Sequence, residues 1–186
     1  MKKITIFVCK ILLSIFLLAA VIVSPIANAA SKVTVKVKQV MVKIINTSGE
    51  HVGTAMLTQH TGAVQIHITA KNLTPGIHGV HFHEVGKCET PDFKSAGAHL
   101  NPNQKQHGFN NPKGFHSGDL LNIQVGSDGT VDVKMKSKNV TLMTGAPNSL
   151  LKPGGTALVI HDKEDDYVTD PSGNSGDRIA CGPIQE

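Results

Sequence analysis

Val64-Gln65-Ile66-His67-Ile68-Thr69-Ala70 is the stretch that indicates the fold. Apolar side chains stand at every second position and alternate with polar ones, which is the period of a half-buried β-strand. Further β-branched runs occur at residues 40–45, 130–135 and 157–160, and turns containing Gly or Pro separate them at short intervals. Short strands divided by turns are typical of an all-β sandwich or barrel, and we expect that class here.

Two long segments interrupt this strand pattern, residues 84–118 and residues 162–177. The first contains three prolines and three of the chain's ten histidines. Loops of this length in a compact domain are usually functional or disordered, and the histidines favour a functional one.

Composition excludes several classes of protein. With 40% hydrophobic and 17% charged residues, the chain of 186 residues is too apolar to be disordered, and its length predicts one domain. Aromatic residues are only 4% and there is no Trp, so we predict no nucleic-acid partner bound by base stacking. Ten histidines in a chain this short point instead to metal binding.

The N-terminus has the pattern of an export signal. Met1-Lys2-Lys3 precedes an apolar run up to Ile26, and Ala27-Asn28-Ala29 provides an A-x-A cleavage site. We predict a signal peptide at 1–29, a tether or strand extension at 30–39 and the functional domain at 40–186. The alternative is an uncleaved anchor, although the uninterrupted apolar stretch is shorter than the roughly 20 residues that span a bilayer.

Export bears on the location of the protein, its net charge and the state of its cysteines. The protein is expected to be secreted, periplasmic or associated with the cell envelope, with membrane or cell-wall attachment through the N-terminus as one option. Removing the signal lowers the formal net charge from +4 to +1, because Lys2, Lys3 and Lys10 leave with it. Cys88 and Cys181 are the two cysteines that remain, and in an oxidising compartment they predict one disulfide.

Seven side chains are candidate metal ligands. His81 and His83 stand at i and i+2 of a predicted strand, so both imidazoles point to one face, roughly 6 to 7 Å apart. The other candidates follow in the loop and at the end of a later strand: His99, His107, His116, Asp119 and His161. Nitrogen and oxygen ligands without thiolates suit zinc and similar ions, and seven ligands indicate two metals or one metal with spectators.

At these positions the chain resembles copper/zinc superoxide dismutase of the secreted bacterial kind, from about Val40 to Pro183. The motifs that carry the resemblance are Gly79-Val80-His81-Phe82-His83-Glu84, Ala96-Gly97-Ala98-His99-Leu100-Asn101-Pro102, His116-Ser117-Gly118-Asp119-Leu120, Val159-Ile160-His161, Asp165-Asp166 and Gly173-Asn174-Ser175-Gly176-Asp177-Arg178-Ile179-Ala180-Cys181-Gly182. The resemblance implies a Greek-key β-sandwich or flattened barrel of about eight antiparallel strands with two long functional loops.

The resemblance also assigns the site. Copper ligands would be His81, His83, His99 and His161; zinc ligands would be His99, His107, His116 and Asp119. His99 would bridge the two metals, and Asp165 would accept hydrogen bonds from His81 and His107. Arg178 would hold the anionic substrate, so His99 and Arg178 are the implied catalytic residues, and Cys88–Cys181 matches the family disulfide.

The implied activity is dismutation of superoxide to oxygen and hydrogen peroxide, which would protect the extracytoplasmic space. One departure lies in Tyr167-Val168-Thr169-Asp170, which lacks the lysine that helps to guide the substrate in the family. The resemblance does not decide between a homodimer and a monomer.

Other functions fit less well. A zinc hydrolase with an H-x-H-x-D-H signature needs Asp and His where Val85 and Gly86 stand, and in a cupin the glutamate falls later than Glu84. A Ser-His-Asp hydrolase needs a G-x-S-x-G motif that the chain lacks. The strongest alternative is a superoxide dismutase-like copper or zinc carrier without significant catalysis.

Several polar residues are predicted to have no part in the site. We expect ordinary surface histidines at His51, His60, His67 and His78, and solvated carboxylates at Asp162, Glu164 and Asp166.

Overall fold

The chain folds as an all-β protein in a computed structural model that describes residues 37–185. Its nine strands in this range are β1 Gln39–Asn46, β2 His51–His60, β3 Ala63–Ala70, β4 Gly76–His78, β5 Val80–His83, β6 Ile123–Val125, β7 Val131–Ser137, β8 Thr156–His161 and β9 Arg178–Ile184. The helical structure in this range is one short 3-10 turn, Lys94–Ala96. The predicted signal peptide and residues 30–36 of the predicted tether lie outside the described residues.

Seven strands form one antiparallel sheet in the order β5-β8-β9-β1-β2-β3-β7, and β4 pairs with β6 in a second, smaller sheet. Neighbours that are distant in sequence, such as β3 with β7 and β1 with β9, require the long crossovers of a Greek key. The expected fold class is therefore confirmed. Within residues 37–185 no helix is long and apolar enough to cross a membrane.

Side-chain alternation accounts for the sheet. In β3, Val64, Ile66 and Ile68 are fully buried, whereas the residues between them are partly exposed. In β5 and β8 every residue is buried on both faces. Phe82 of β5 belongs to the main apolar core, and the side chains of His81 and His83, on the opposite face, are buried as well. The apolar core therefore packs against one face of β5, and the polar site lies on the other face.

β4 and β5 are one continuous stretch that changes sheet at Gly79. β4 pairs with β6, β5 pairs with β8, and the peptide of Gly79 bonds to the second long loop through Lys163 O at 2.8 Å. A Cβ at this position would lie 3.0 Å from Ser175 Cβ and 3.3 Å from Asp165 Cβ. Glycine therefore allows that loop to pack directly over the start of β5.

A disulfide joins Cys88 in the first long loop to Cys181 in β9. The expected pairing is thereby confirmed. It attaches the loop to the strand that begins at Arg178, and so ties two of the segments that surround the histidines.

Candidate metal centre

Backbone hydrogen bonds to β5 bring the first long loop onto the histidine strand. The amide of Phe82 donates to Gly118 O at 2.8 Å, and the amide of Leu100 donates to Phe82 O at 2.8 Å. Isolated bridges accordingly pair His81 with Asp119 and His83 with His99. These contacts place two loop residues beside the two strand histidines, although 16 to 38 residues separate them in sequence. β8 is hydrogen-bonded to β5 and adds His161 at its end.

Four donor atoms at the loop side form one compact set. The Oδ1 atom of Asp119 lies 3.1 Å from His99 Nδ1, 3.1 Å from His107 Nδ1 and 3.3 Å from His116 Nδ1. His99 Nδ1 and His116 Nδ1 are 3.3 Å apart. Four ligands at about 2.0 Å from a tetrahedral zinc ion stand roughly 3.3 Å from one another. The donor set fits a zinc ion.

A second donor set lies on the strand side. The ligand atoms of His81, His83, His99 and His161 all fall within 4.8 Å of one another, and all four side chains are buried. His83 Nε2 and His161 Nε2 are 3.4 Å apart. Two further ring nitrogens, His81 Nδ1 and His99 Nε2, have no hydrogen-bond partner among the described residues. Buried polar atoms are almost always paired, so these two ring nitrogens fit the role of metal ligands.

The two sets are contiguous. Donor atoms of His81, His99, His107 and Asp119 also lie within 4.8 Å of one another. That grouping omits His116, but we favour His116 over His81 as the partner of Asp119 because its Nδ1 is 3.3 Å from both Asp119 Oδ1 and His99 Nδ1.

Asp165 forms hydrogen bonds with one histidine of each set. Its Oδ2 lies 2.7 Å from His81 Nε2 and its Oδ1 lies 2.9 Å from His107 Nε2. Each ring donates its Nε2 hydrogen to Asp165, so the lone pair on Nδ1 of each ring can bind a metal. Gly173 allows this contact, because its φ is +64° and a Cβ there would overlap Asp165 Oδ1. The carboxylate thus orients one histidine of each set.

Burial and neighbouring charges divide the site electrostatically. Desolvation lowers the pKa of His81 to about 4 and that of His99 and His161 to about 3, and it holds the pKa of His83 well below its usual range. Burial acts in the same direction on His107, but its hydrogen bonds to Asp119 and Asp165 outweigh it and raise the pKa to about 9. Burial would raise the pKa of Asp119, yet its histidine partners lower it further than burial raises it.

These shifts predict how the metal-free protein responds to pH. The four histidines with lowered pKa stay neutral when folded but take up protons at about 6.5 when unfolded, so their stabilisation is lost as the pH falls from 6.5 toward 3. His107 acts in the opposite sense, and its contribution is lost as the pH rises from 6.5 through 9. We expect maximal stability between about pH 6 and 7, measured by urea unfolding after chelation. A continuous rise in stability between pH 7 and 9 would contradict this assignment.

Arg178 stands at the start of β9 beside the strand-side set. Its Nη1 donates to Phe93 O at 2.7 Å and its Nη2 donates to Gly97 O at 2.7 Å, both in the loop that the disulfide anchors. Its positive charge contributes to the lowered pKa of His83 and of His161. Two carbonyl contacts hold the guanidinium in one orientation, which suits the capture of a small anion.

Seven polar residues were expected at the surface, and the structure agrees for all of them except His78. His51 and His60 are exposed, His67 is half-buried and pairs with Asp132 at 2.7 Å, and the three solvated carboxylates are exposed. His78 was predicted to be a surface histidine, and that prediction is wrong. Its ring is buried, with Nδ1 2.7 Å from the carbonyl oxygen of His161 and Nε2 2.7 Å from that of Thr74.

The error has a physical cause. The prediction of a surface position rests on the absence of a family role for His78, and strand parity adds only that its ring points away from His81 and His83. The change of sheet at Gly79 instead turns it into the space between β4 and the end of β8. Sequence reasoning had no signal for this position, because the partner carbonyl lies 83 residues away.

The fold and site define an all-β Greek-key protein with two adjacent sets of candidate metal ligands. A model of the copper/zinc superoxide dismutase family matches residues 51–184. The relative "Superoxide dismutase [Cu-Zn] 1" of Aquifex aeolicus is 50% identical, covering 76% of this chain and 85% of its own length. "Superoxide dismutase-like protein YojM" of Bacillus subtilis is 46% identical, covering 77% and 74%.

Structural comparison agrees. The crystal structure of a double mutant of a SOD-like protein from Bacillus subtilis, with two introduced histidines, matches with a TM-score of 0.77 and 46% identity, over 78% of this chain and 97% of that one. The chain therefore belongs to the copper/zinc superoxide dismutase family, whose enzymes use copper and zinc to dismute superoxide.

Proposed function

We propose that this enzyme acts outside the cytoplasm on superoxide, with copper at His81, His83, His99 and His161 and zinc at His99, His107, His116 and Asp119. The observation that carries the proposal is the position of His99 between the two donor sets. Its Nδ1 lies 3.1 Å from Asp119 Oδ1 on the zinc side, while its buried Nε2 has no partner among the described residues on the copper side. One imidazole with two nitrogens suits a shared ligand.

When bound, copper supplies the one-electron redox change, and zinc, which has no redox chemistry, holds His99 in place. Arg178 binds the superoxide anion through a guanidinium already oriented by two carbonyl groups. When not bound to copper, His99 Nε2 would carry a proton and would pass it to the reduced product. Asp165 keeps the rings of His81 and His107 fixed while this happens, because each is hydrogen-bonded to it.

The second candidate function is that of a copper or zinc carrier. It is supported by a relative at 46% identity whose name is "superoxide dismutase-like" and not superoxide dismutase. Filled ligand positions are common to both functions, so activity must separate them. We expect about one copper and one zinc per chain by metal analysis, and rapid superoxide removal in a xanthine oxidase assay. The chelated protein and its reloaded form are the control pair. Full metal content without faster superoxide decay would support the carrier.

Export is a separate part of the proposal. It is supported by the disulfide between Cys88 and Cys181, which persists in oxidising compartments, and by the signal-like pattern of the N-terminus. Mass spectrometry of the protein from a secreting host should find an N-terminus at Ala30. A chain that keeps Met1 and stays with the membrane would identify an uncleaved anchor, and a reduced cytoplasmic chain would contradict export.

A further inference from the structure

Residues 167–170, the segment that lacks the family's guiding lysine, lie against the loop that carries His107. Asp170 Oδ1 accepts a hydrogen bond from the backbone amide of His107 at 2.6 Å. The carbonyl of Tyr167 accepts one from the amide of Asn110 at 2.9 Å, and Val168 O accepts one from Asn111 Nδ2 at 3.2 Å. Three residues of the His107 loop, at positions 107, 110 and 111, are thus bonded to one short segment. We call residues 167–170 the zinc-loop clasp.

Tyr167 connects the clasp to the rest of the site. Its amide donates to Asp165 Oδ1 at 2.7 Å, and its hydroxyl accepts from the amide of Asn122 at 2.7 Å, next to β6. Its ring centroid lies 5.6 Å from that of Phe109. A Cβ on Gly108 would overlap the Tyr167 carbonyl, so glycine permits this close approach. Tyr167 therefore contacts Asp165, the His107 loop and the residue that precedes β6.

The His107 loop needs such support because little regular structure holds it. Residues 84–118 contain one 3-10 turn and isolated bridges, so the backbone of the His107 segment belongs to no strand in the described structure. Asp119 Oδ2 accepts from the amide of Gly108 at 3.1 Å, but Asp119 is itself a proposed metal ligand. A ligand on a loose loop must be ordered when the metal binds, and that cost lowers affinity.

We propose that the zinc-loop clasp is a positioning device for the zinc site, in which Asp170 fixes the backbone of His107 and Tyr167 fixes the residues that follow. This rests on the proposed function, because it takes His107 as a zinc ligand. Asp170 and Tyr167 act through His107 and do not touch the metal. The segment that departs from the family pattern has thereby a role in holding zinc.

Zinc retention tests this directly, with Co²⁺ as a spectroscopic substitute that needs no superoxide. The purified full-length chain is stripped of metal, loaded with Co²⁺, and followed by visible absorption while a chelator removes the ion. Asp170→Ala should release Co²⁺ about 3- to 10-fold faster than wild type, because the part-buried hydrogen bond that holds the His107 amide is lost. Asp170→Asn keeps an acceptor oxygen and should stay within about twofold of wild type.

Two further variants complete the set. Tyr167→Phe removes only the hydroxyl bonded to Asn122 and should accelerate release about 2- to 5-fold. Glu164→Gln alters an exposed carboxylate of the same loop and serves as the matched charge control, with no change expected. Melting of the metal-free forms is measured in parallel, and the Asp170 variants should melt like wild type.

The outcomes separate the hypotheses. Equal release from Asp170→Ala and wild type would overturn the clasp alone. Equal acceleration in Asp170→Asn and Asp170→Ala would also overturn it, since charge and not the hydrogen bond would then matter. Faster release accompanied by a lowered melting temperature of the metal-free form, without rescue by Asn, would assign Asp170 to general stability and overturn the clasp. A wild-type chain that binds no Co²⁺ would overturn the proposed function and the clasp together.

Discussion

Replacing His99 with alanine should lower the affinity for copper and the affinity for zinc, each by at least about 100-fold, and should abolish superoxide dismutation. The estimate follows because zinc binding of about 10 to 16 kcal/mol is shared among four ligands, so one ligand accounts for several kcal/mol. In the proposed assignment His99 is the ligand that both metals share: its Nδ1 faces Asp119, and its buried Nε2 has no hydrogen-bond partner among the described residues. Competition with chelators of known affinity measures each metal separately.

Two other variants make this result specific. His83→Ala should weaken copper while leaving zinc within about threefold, because His83 belongs only to the strand-side set. His116→Ala should do the reverse, since its Nδ1 lies 3.3 Å from both Asp119 Oδ1 and His99 Nδ1 on the zinc side. If His99→Ala lost copper but kept zinc at wild-type affinity, the shared-ligand proposal would be wrong, even with a wild-type chain that is an active dismutase.

The second large effect is expected at Asp165. Asp165→Ala should lower zinc affinity by about 10- to 100-fold, because loss of an outer hydrogen-bond partner typically costs that much. Copper affinity should fall in the same variant, since Oδ2 orients His81 while Oδ1 orients His107. The side chain is fully buried, so the metal-free fold is checked by circular dichroism before metal titration.

Asp165→Asn distinguishes the two halves of this effect. Its amide oxygen can accept from one histidine, but its NH₂ group cannot accept from the other, so one metal should be weakened more than the other. Asp162→Asn, an exposed carboxylate three residues earlier, is the matched control and should bind both metals normally. Normal affinity for both metals in Asp165→Ala would contradict the role assigned to this residue.

Much of the candidate site could be predicted because its proposed ligands stand in short motifs. His81 and His83 occupy alternate positions of one strand, and strand geometry alone places their rings on one face. His116 and Asp119 likewise form a local pair, with their donor atoms 3.3 Å apart. The all-β class followed from the alternation in β3, which depends on the backbone and not on distant contacts.

Other features could not be predicted because they depend on where a distant part of the chain comes to lie. His78 is buried through the carbonyl of His161, and neither residue's neighbours in sequence indicate that contact. The hydrogen bond of Asp170 to the amide of His107 joins positions 63 residues apart, in a segment that carries no family motif. Backbone acceptors are present at every residue, so sequence cannot tell which one a side chain will meet.

By itself, the sequence determined the strand period, the side chains proposed as metal ligands and the two cysteines available for a disulfide. Only the tertiary structure decided how those side chains meet. The amide of Phe82 donates to Gly118 O and its carbonyl accepts from the amide of Leu100, which brings His99 and Asp119 beside β5. Asp165 of the second loop completes the site. The physical reason is that local steric preferences are encoded residue by residue, whereas a metal centre needs donor atoms from separate segments to converge within a few ångströms.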